Sequence, residues 1–123
     1  MILCYTPTSI DEKEIDRRVG LLLYKYDIFF IEDDDIILTT ETNQKLLRLI
    51  LRKSNIKLFW VYSLDELPFT PTQISEIILY CINNNIDFHS EVDRLYFTNR
   101  DIELVYPSIF EKFRGKKKEY IQF

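Results

Sequence analysis

Ile56-Lys57-Leu58-Phe59-Trp60-Val61-Tyr62-Ser63-Leu64-Asp65-Glu66-Leu67, followed by Thr70-Pro71-Thr72-Gln73, joins an apolar run to a polar turn and a helix start. Leu58 to Tyr62 is a short continuous apolar run, as expected of a strand covered on both faces. Thr70 then offers an N-cap hydroxyl, Pro71 suits the first helical position and Gln73 can close a capping box. A buried strand that passes through a polar turn into a helix is half of a βαβ unit. In such sheets, ligands and chemistry gather at the carboxyl ends of the strands, so activity is expected in the turn from Ser63 to Phe69.

The same alternation extends in both directions. Ile2 to Thr6 reads as a first strand. Ser9-Ile10-Asp11-Glu12 has the form of a capping box, with Ser9 as N-cap and Glu12 at N3, and predicts a helix from about Ile10 to Tyr26. Ile28 to Ile31 is a second apolar run, closed by Glu32-Asp33-Asp34-Asp35, and Ile36 to Thr39 fits a short extra strand at an edge. A helix is expected from about Thr42 to Lys53. The helix after Thr70 carries Ile74, Ile77, Ile78 and Cys81 as its buried stripe and ends at Asn83-Asn84-Asn85. Ile86 to Ser90 is a further strand. Ile102 to Tyr120 is mainly helical in character, with Pro107 either starting a helix or kinking one. Strands alternating with helices imply an α/β protein: a three-layer αβα sandwich on a mostly parallel sheet of four or five strands, forming one domain over residues 1–123.

Composition narrows the function. The chain is 46% hydrophobic and 15% aromatic, which supplies a packed core and argues against disorder. Gly20 and Gly115 are the two glycines, too few and too far apart for a phosphate-binding glycine loop. A net charge of -4 excludes a surface basic all over, so nucleic-acid binding requires a local patch. Lys112, Arg114, Lys116, Lys117 and Lys118 form one such candidate, and they fit a solvated terminal segment as well. Cys4 and Cys81 lie in apolar patterns and read as core residues. With one histidine, His89, and no metal-ligand spacing, no metal or other cofactor is expected. His89, at a strand position, reads as a packed or hydrogen-bonded residue. The acidic run Glu32 to Asp35 reads as a solvated turn, with divalent-cation binding as its functional alternative. No signal peptide or membrane span is recognisable, so a cytoplasmic protein without membrane contact is expected.

Two short motifs carry a resemblance. Tyr5-Thr6-Pro7-Thr8-Ser9 and Leu64-Asp65-Glu66-Leu67-Pro68-Phe69 resemble frames of the catalytic domain of serine site-specific recombinases, the resolvase/invertase family. In that family the first strand ends Tyr-x-Arg-x-Ser, and a later strand runs into Leu-Asp-Arg-Leu-x-Arg before a helix. Asn85-Ile86-Asp87-Phe88-His89-Ser90-Glu91 is similar to the family's turn into its next strand. The likeness spans roughly residues 1–120. It implies the family fold, and it implies a chemistry in which a serine attacks a DNA phosphate to form a covalent phosphoserine link.

The resemblance places the nucleophile on Ser9 and a catalytic or structural carboxylate on Asp65. It places the family's arginines on Pro7, on Glu66, on Phe69 and near Asn43. Preorganised guanidinium groups stabilise the charge of a phosphoryl transition state, and losing one such donor costs a few kcal/mol. A proline, a carboxylate, an aromatic ring and an amide cannot replace them. The expected function is therefore a resolvase-like protein-interaction module, self-associating as a homodimer or binding another protein, without catalysis. The alternatives are a DNA-binding accessory or an active recombinase using the basic C-terminal residues, and a small-molecule binder with Trp60, Tyr62 and Phe69 as stacking surface. Ile109, Phe110 and Phe113 are the expected contacts to a partner. Because the chain stops at Phe123, no separate DNA-reading module is expected.

Overall fold

The computed structural model describes residues 2–26, 36–39, 45, 50 and 56–115. Five strands form one sheet in the order β2-β1-β3-β4-β5, with β1 at Ile2–Tyr5, β2 at Ile36–Thr39, β3 at Leu58–Val61, β4 at Asp87–Ser90 and β5 at Leu95–Phe97. The first four run parallel, with Cys4 opposite Trp60 and Trp60 opposite His89. β5 returns antiparallel to β4 through a tight turn in which Arg94 takes a positive φ of 55°. The expected edge strand is β2. The expected strand Ile28 to Ile31 and the acidic run Glu32 to Asp35 lie outside the described residues, as does most of the expected helix from Thr42 to Lys53, of which Lys45 and Ile50 are helical.

Period-two alternation splits the strands between two cores. Ile2, Cys4, Leu58 and Trp60 face helix α1, Glu12–Lys25, and pack on its Leu22. Leu3, Tyr5, Phe59, Val61 and Phe88 face the other way, against α2 at Pro71–Asn83 and α3 at Val105–Lys112. This is the three-layer sandwich that the sequence predicts. Trp60, Phe59 and Phe88 are fully buried, and Phe59 meets Phe88 edge to face with ring centroids 5.6 Å apart. Burial pushes the thiols of Cys4 and Cys81 up to about 12, so both are inert core groups.

The helix ends follow local chemistry. The Thr70–Gln73 capping box forms in both directions, at 3.1 Å and 2.9 Å. α2 stops at Asn83, and Asn85 turns the chain with a φ of 59°, a left-handed conformation that asparagine tolerates. Pro107 lies in the first turn of α3, where its missing N–H is not needed. One cap differs from expectation. Asp11, not Ser9, caps α1: its carboxylate accepts from the Glu14 N–H at 2.9 Å, and the helix begins at Glu12. Both residues are good caps, and the length of the β1–α1 connection selects the later one.

Candidate active site at the carboxyl ends of β1 and β3

β1 pairs with β2 on one side and β3 on the other, so the strand order reverses between β1 and β3. A reversal of this kind opens a crevice at the strand ends, where open α/β sheets bind ligands. Tyr5 and Thr6 leave β1 there. Tyr62 and the turn Leu64–Glu66 leave β3 there.

The crevice is organised by Arg18, which α1 supplies. Its side chain is 6% exposed and is held on three sides. Nη1 and Nη2 donate to the two carboxylate oxygens of Glu66 at 2.7 Å and 2.9 Å, and Nε donates to Glu14 at 2.9 Å. The guanidinium carbon lies 4.0 Å from the centroid of the Tyr62 ring, a cation–π contact. Arg17, more exposed, donates twice to Glu14 and once to the Tyr62 hydroxyl. Hydrogen bonds from Arg17, then from Arg18, hold the Glu14 carboxyl down at about 2. Burial, followed by the negative charge of Glu66, raises the Tyr5 phenol above its usual range. Two arginines and two glutamates thus form a closed network whose formal charges cancel.

The turn itself is held from the far side of the sheet. Asp93, in the β4–β5 turn, accepts from the Leu64 amide at 2.8 Å and from Ser90 Oγ at 2.6 Å. Lys112 of α3 places its ammonium 2.6 Å from the other carboxylate oxygen, and the Asp93 side chain is wholly buried. Ser63 Oγ accepts from the Asp65 N–H.

The sequence-derived site residues fare differently. Ser9 lies in the exposed turn between β1 and α1 and has no hydrogen-bond partner among the described residues. Asp65 is exposed, and the acceptor that shapes its turn is Asp93. Phe69 is 4% exposed and Trp60 is fully buried, so neither offers a stacking face to a ligand. Tyr62 already carries the guanidinium groups. Lys112 is bound to Asp93, and Arg114 is a surface residue 3.6 Å from Glu111. Lys116, Lys117 and Lys118 lie outside the described residues.

Sequence reasoning passed over Arg17, Arg18 and Asp93. Arg18 carried a usable signal: it falls on the helix stripe of Ile15 and Leu22, where a charged residue must find partners once buried.

His89 is packed, as the sequence suggests. Its Nδ1 is 2.6 Å from the Tyr26 hydroxyl, and its Nε2 is 3.3 Å from Glu91, which also binds Lys25. Tyr96 of β5 and Tyr26, the residue that caps the end of α1, both set their rings against it. Burial lowers the imidazole pKa, opposed by Glu91 and aided by Lys25. The unfolded imidazole therefore takes up a proton at a pH where the folded one refuses it. Stability is expected to be full above about pH 6.5 and to fall as pH drops from there through the folded value. His89→Gln should flatten that part of a urea-midpoint profile; an unchanged slope counts against the assignment.

The sheet order and the parallel strands β1 to β4 make a mixed α/β fold flanked by helices, and that fold matches the catalytic domain of a serine recombinase. The crystal structure of the N-terminal catalytic domain of TP901-1 integrase superposes with a TM-score of 0.52, over 90% of this chain and 92% of that one, at 16% identity. No protein-family profile matches the sequence, and no curated protein does. At that identity the likeness concerns architecture. Among the described residues no helix is long and apolar enough to cross a membrane, and no three metal-ligating side chains cluster.

Proposed function

We propose that this chain is a serine-recombinase-fold domain that does not exchange DNA strands and acts by binding protein. One observation carries the reading. Arg18, the buried guanidinium at the crevice, is neutralised by Glu66, which stands where the resemblance puts an arginine. A phosphoryl group entering the crevice would have to displace a bidentate carboxylate and then face it as a like charge. Fork-to-fork guanidinium–carboxylate pairs are among the strongest hydrogen-bonded contacts in proteins, so the competition favours the closed network. Ser9 has no base among its described neighbours, and an unactivated hydroxyl is a weak nucleophile.

The test uses the full chain with nicked and with supercoiled DNA, followed by denaturing electrophoresis. No covalent protein–DNA adduct is expected, from the parent or from Ser9→Ala. An adduct that forms with the parent and vanishes in Ser9→Ala overturns the reading. The rival, a DNA-binding accessory, draws on the basic C-terminal residues, of which Lys112 is engaged by Asp93. Binding with a steep salt slope would support that rival.

A further inference from the structure

Ile109 and Phe113, expected at a partner contact, are buried in the domain's own core, and Phe110 is exposed. A polar cluster without a role in the crevice lies on the opposite face of the sheet. There the register sets Trp60 of β3 beside His89 of β4, and His89 beside Tyr96 of β5. α1 ends beside this row at Lys25, and its C-cap Tyr26 meets the imidazole. The charged and titratable groups that face His89 are Lys25 and Tyr26 at the end of α1, Asp87 at the start of β4, Glu91 just after its end, and Tyr96 of β5.

Three of these groups line up as hydroxyl, base and orienting carboxylate. Tyr26 Oη lies 2.6 Å from His89 Nδ1, and His89 Nε2 lies 3.3 Å from Glu91 Oε2. The carboxylate holds the imidazole hydrogen on Nε2, which leaves Nδ1 bare to accept from the phenol. Lys25 donates to both oxygens of Glu91, at 3.1 Å each, and so fixes the carboxylate. A hydroxyl within hydrogen-bond reach of an imidazole that a third group orients is the general arrangement of an activated nucleophile. Burial above all, then Tyr96, Glu91 and Asp87, keep the phenol protonated well above its ordinary range, so base assistance is its route to a nucleophilic oxygen. Burial keeps the imidazole neutral to lower pH, and the neutral form is the one that takes a proton. Tyr26 is half-buried, and the neighbouring Tyr96 is 48% exposed, so the cluster borders solvent.

We propose that Tyr26 is a nucleophile, activated by His89 and Glu91, that takes an acyl group from an activated ester at a site sharing no residue with the β1–β3 crevice. The phenol oxygen attacks the carbonyl carbon while its proton passes to Nδ1, and Glu91 stabilises the imidazolium. The tetrahedral adduct expels its alkoxide or phenoxide, the proton goes to that group or to water, and an aryl ester of Tyr26 remains. An acyl donor fits better than an anionic phosphoryl donor, because Asp87 and Glu91 set two carboxylates here against the single ammonium of Lys25. This chemistry is independent of the protein-binding reading.

Tyr24, two residues earlier and 87% exposed, is an internal control. A phenol without a base reacts as phenolate, so its rate climbs about tenfold per pH unit up to about pH 10, whereas a base-assisted phenol levels off once the imidazole is neutral. The full chain is treated with p-nitrophenyl acetate from about pH 5 to about pH 9. Acetylated tyrosines are located by peptide mass mapping before and after hydroxylamine, which removes aryl esters. At neutral pH Tyr26 should acetylate about tenfold faster than Tyr24 or more, and its rate should reach a plateau. His89→Gln should slow Tyr26 by about 100-fold, and Glu91→Gln should slow it several-fold, with Tyr24 unchanged in both. Tyr26→Phe should lose the fast ester and keep the slow one. A Tyr24 that reacts faster than Tyr26 at neutral pH overturns the proposal. So does a Tyr26 rate that climbs with pH as the Tyr24 rate does. Both of these outcomes are read on the parent chain, so they stand even where a variant fails to fold.

Discussion

Glu66→Arg, which restores the arginine that the recombinase frame has at this position, is expected to destabilise the domain by about 3–5 kcal/mol. The physical reason is local. Arg18 is 6% exposed, and Glu66 supplies two of its three hydrogen bonds. Removing one partner of a buried ion pair strands the other charge, and placing a second guanidinium there adds repulsion. Small domains hold only about 5–15 kcal/mol in total, so the variant sits near the edge of folding. Urea denaturation gives the comparison, read from the midpoint at unchanged slope.

A control separates the pair from its packing. Arg18→Met alone strands Glu66, and Glu66→Leu alone strands Arg18. The double variant Arg18→Met/Glu66→Leu removes both charges, and Arg17 still holds Glu14. It should fall within about 1 kcal/mol of the parent, because replacing a whole buried pair by apolar groups is often neutral. A Glu66→Arg protein as stable as the parent would remove the premise that the crevice is closed. The same change bears on function: the resemblance read alone suggests that restoring arginine restores chemistry, whereas the geometry says that it breaks the domain.

Asp93→Ala should cost about 3 kcal/mol. The wholly buried carboxylate ties three elements: the turn after β3 through the Leu64 amide, β4 through Ser90, and α3 through Lys112. Its loss takes an acceptor from each donor at once and releases the last turn of α3. Asp93→Asn keeps an acceptor and loses the charge, so it should fall between alanine and the parent. Burial raises the Asp93 pKa, and the hydrogen bonds from Lys112, Ser90 and the Leu64 amide outweigh it, leaving the group below its ordinary value. A depressed carboxylate contributes stability above the unfolded value near 3.8, lost as pH falls through the folded value. The parent should therefore lose stability there more steeply than Asp93→Ala. Equal acid slopes, or an alanine variant with parental stability, would contradict the tie. Fluorescence of Trp60, fully buried in the opposite core, offers an independent view of global unfolding.

Sequence alone determined the elements whose causes are local. The apolar runs Leu58–Tyr62 and Ile2–Tyr5, the Thr70–Gln73 box and the asparagine stop are written within a few residues of one another, and period and capping rules read them directly. The recombinase frame added the fold. β5 escaped because Leu95–Phe97 is too short to show a period, and it pairs only because the turn before it brings it back to β4. Ser9 and Asp11 are equivalent as caps in sequence, and only the path from β1 to α1 chooses between them. The crevice was legible as a place, at the turn from Ser63 to Phe69, but its electrostatics were not. Glu66 read as a carboxylate standing where the resemblance puts an arginine, yet its partner Arg18 lies 48 residues away and arrives through the packing of α1 on the sheet. Asp93 reaches Leu64 across 29 residues in the same way. Hydrogen bonds and ion pairs fall off within a few ångströms. Their partners are therefore set by which elements the topology lays side by side, and a spacing along the chain does not encode that.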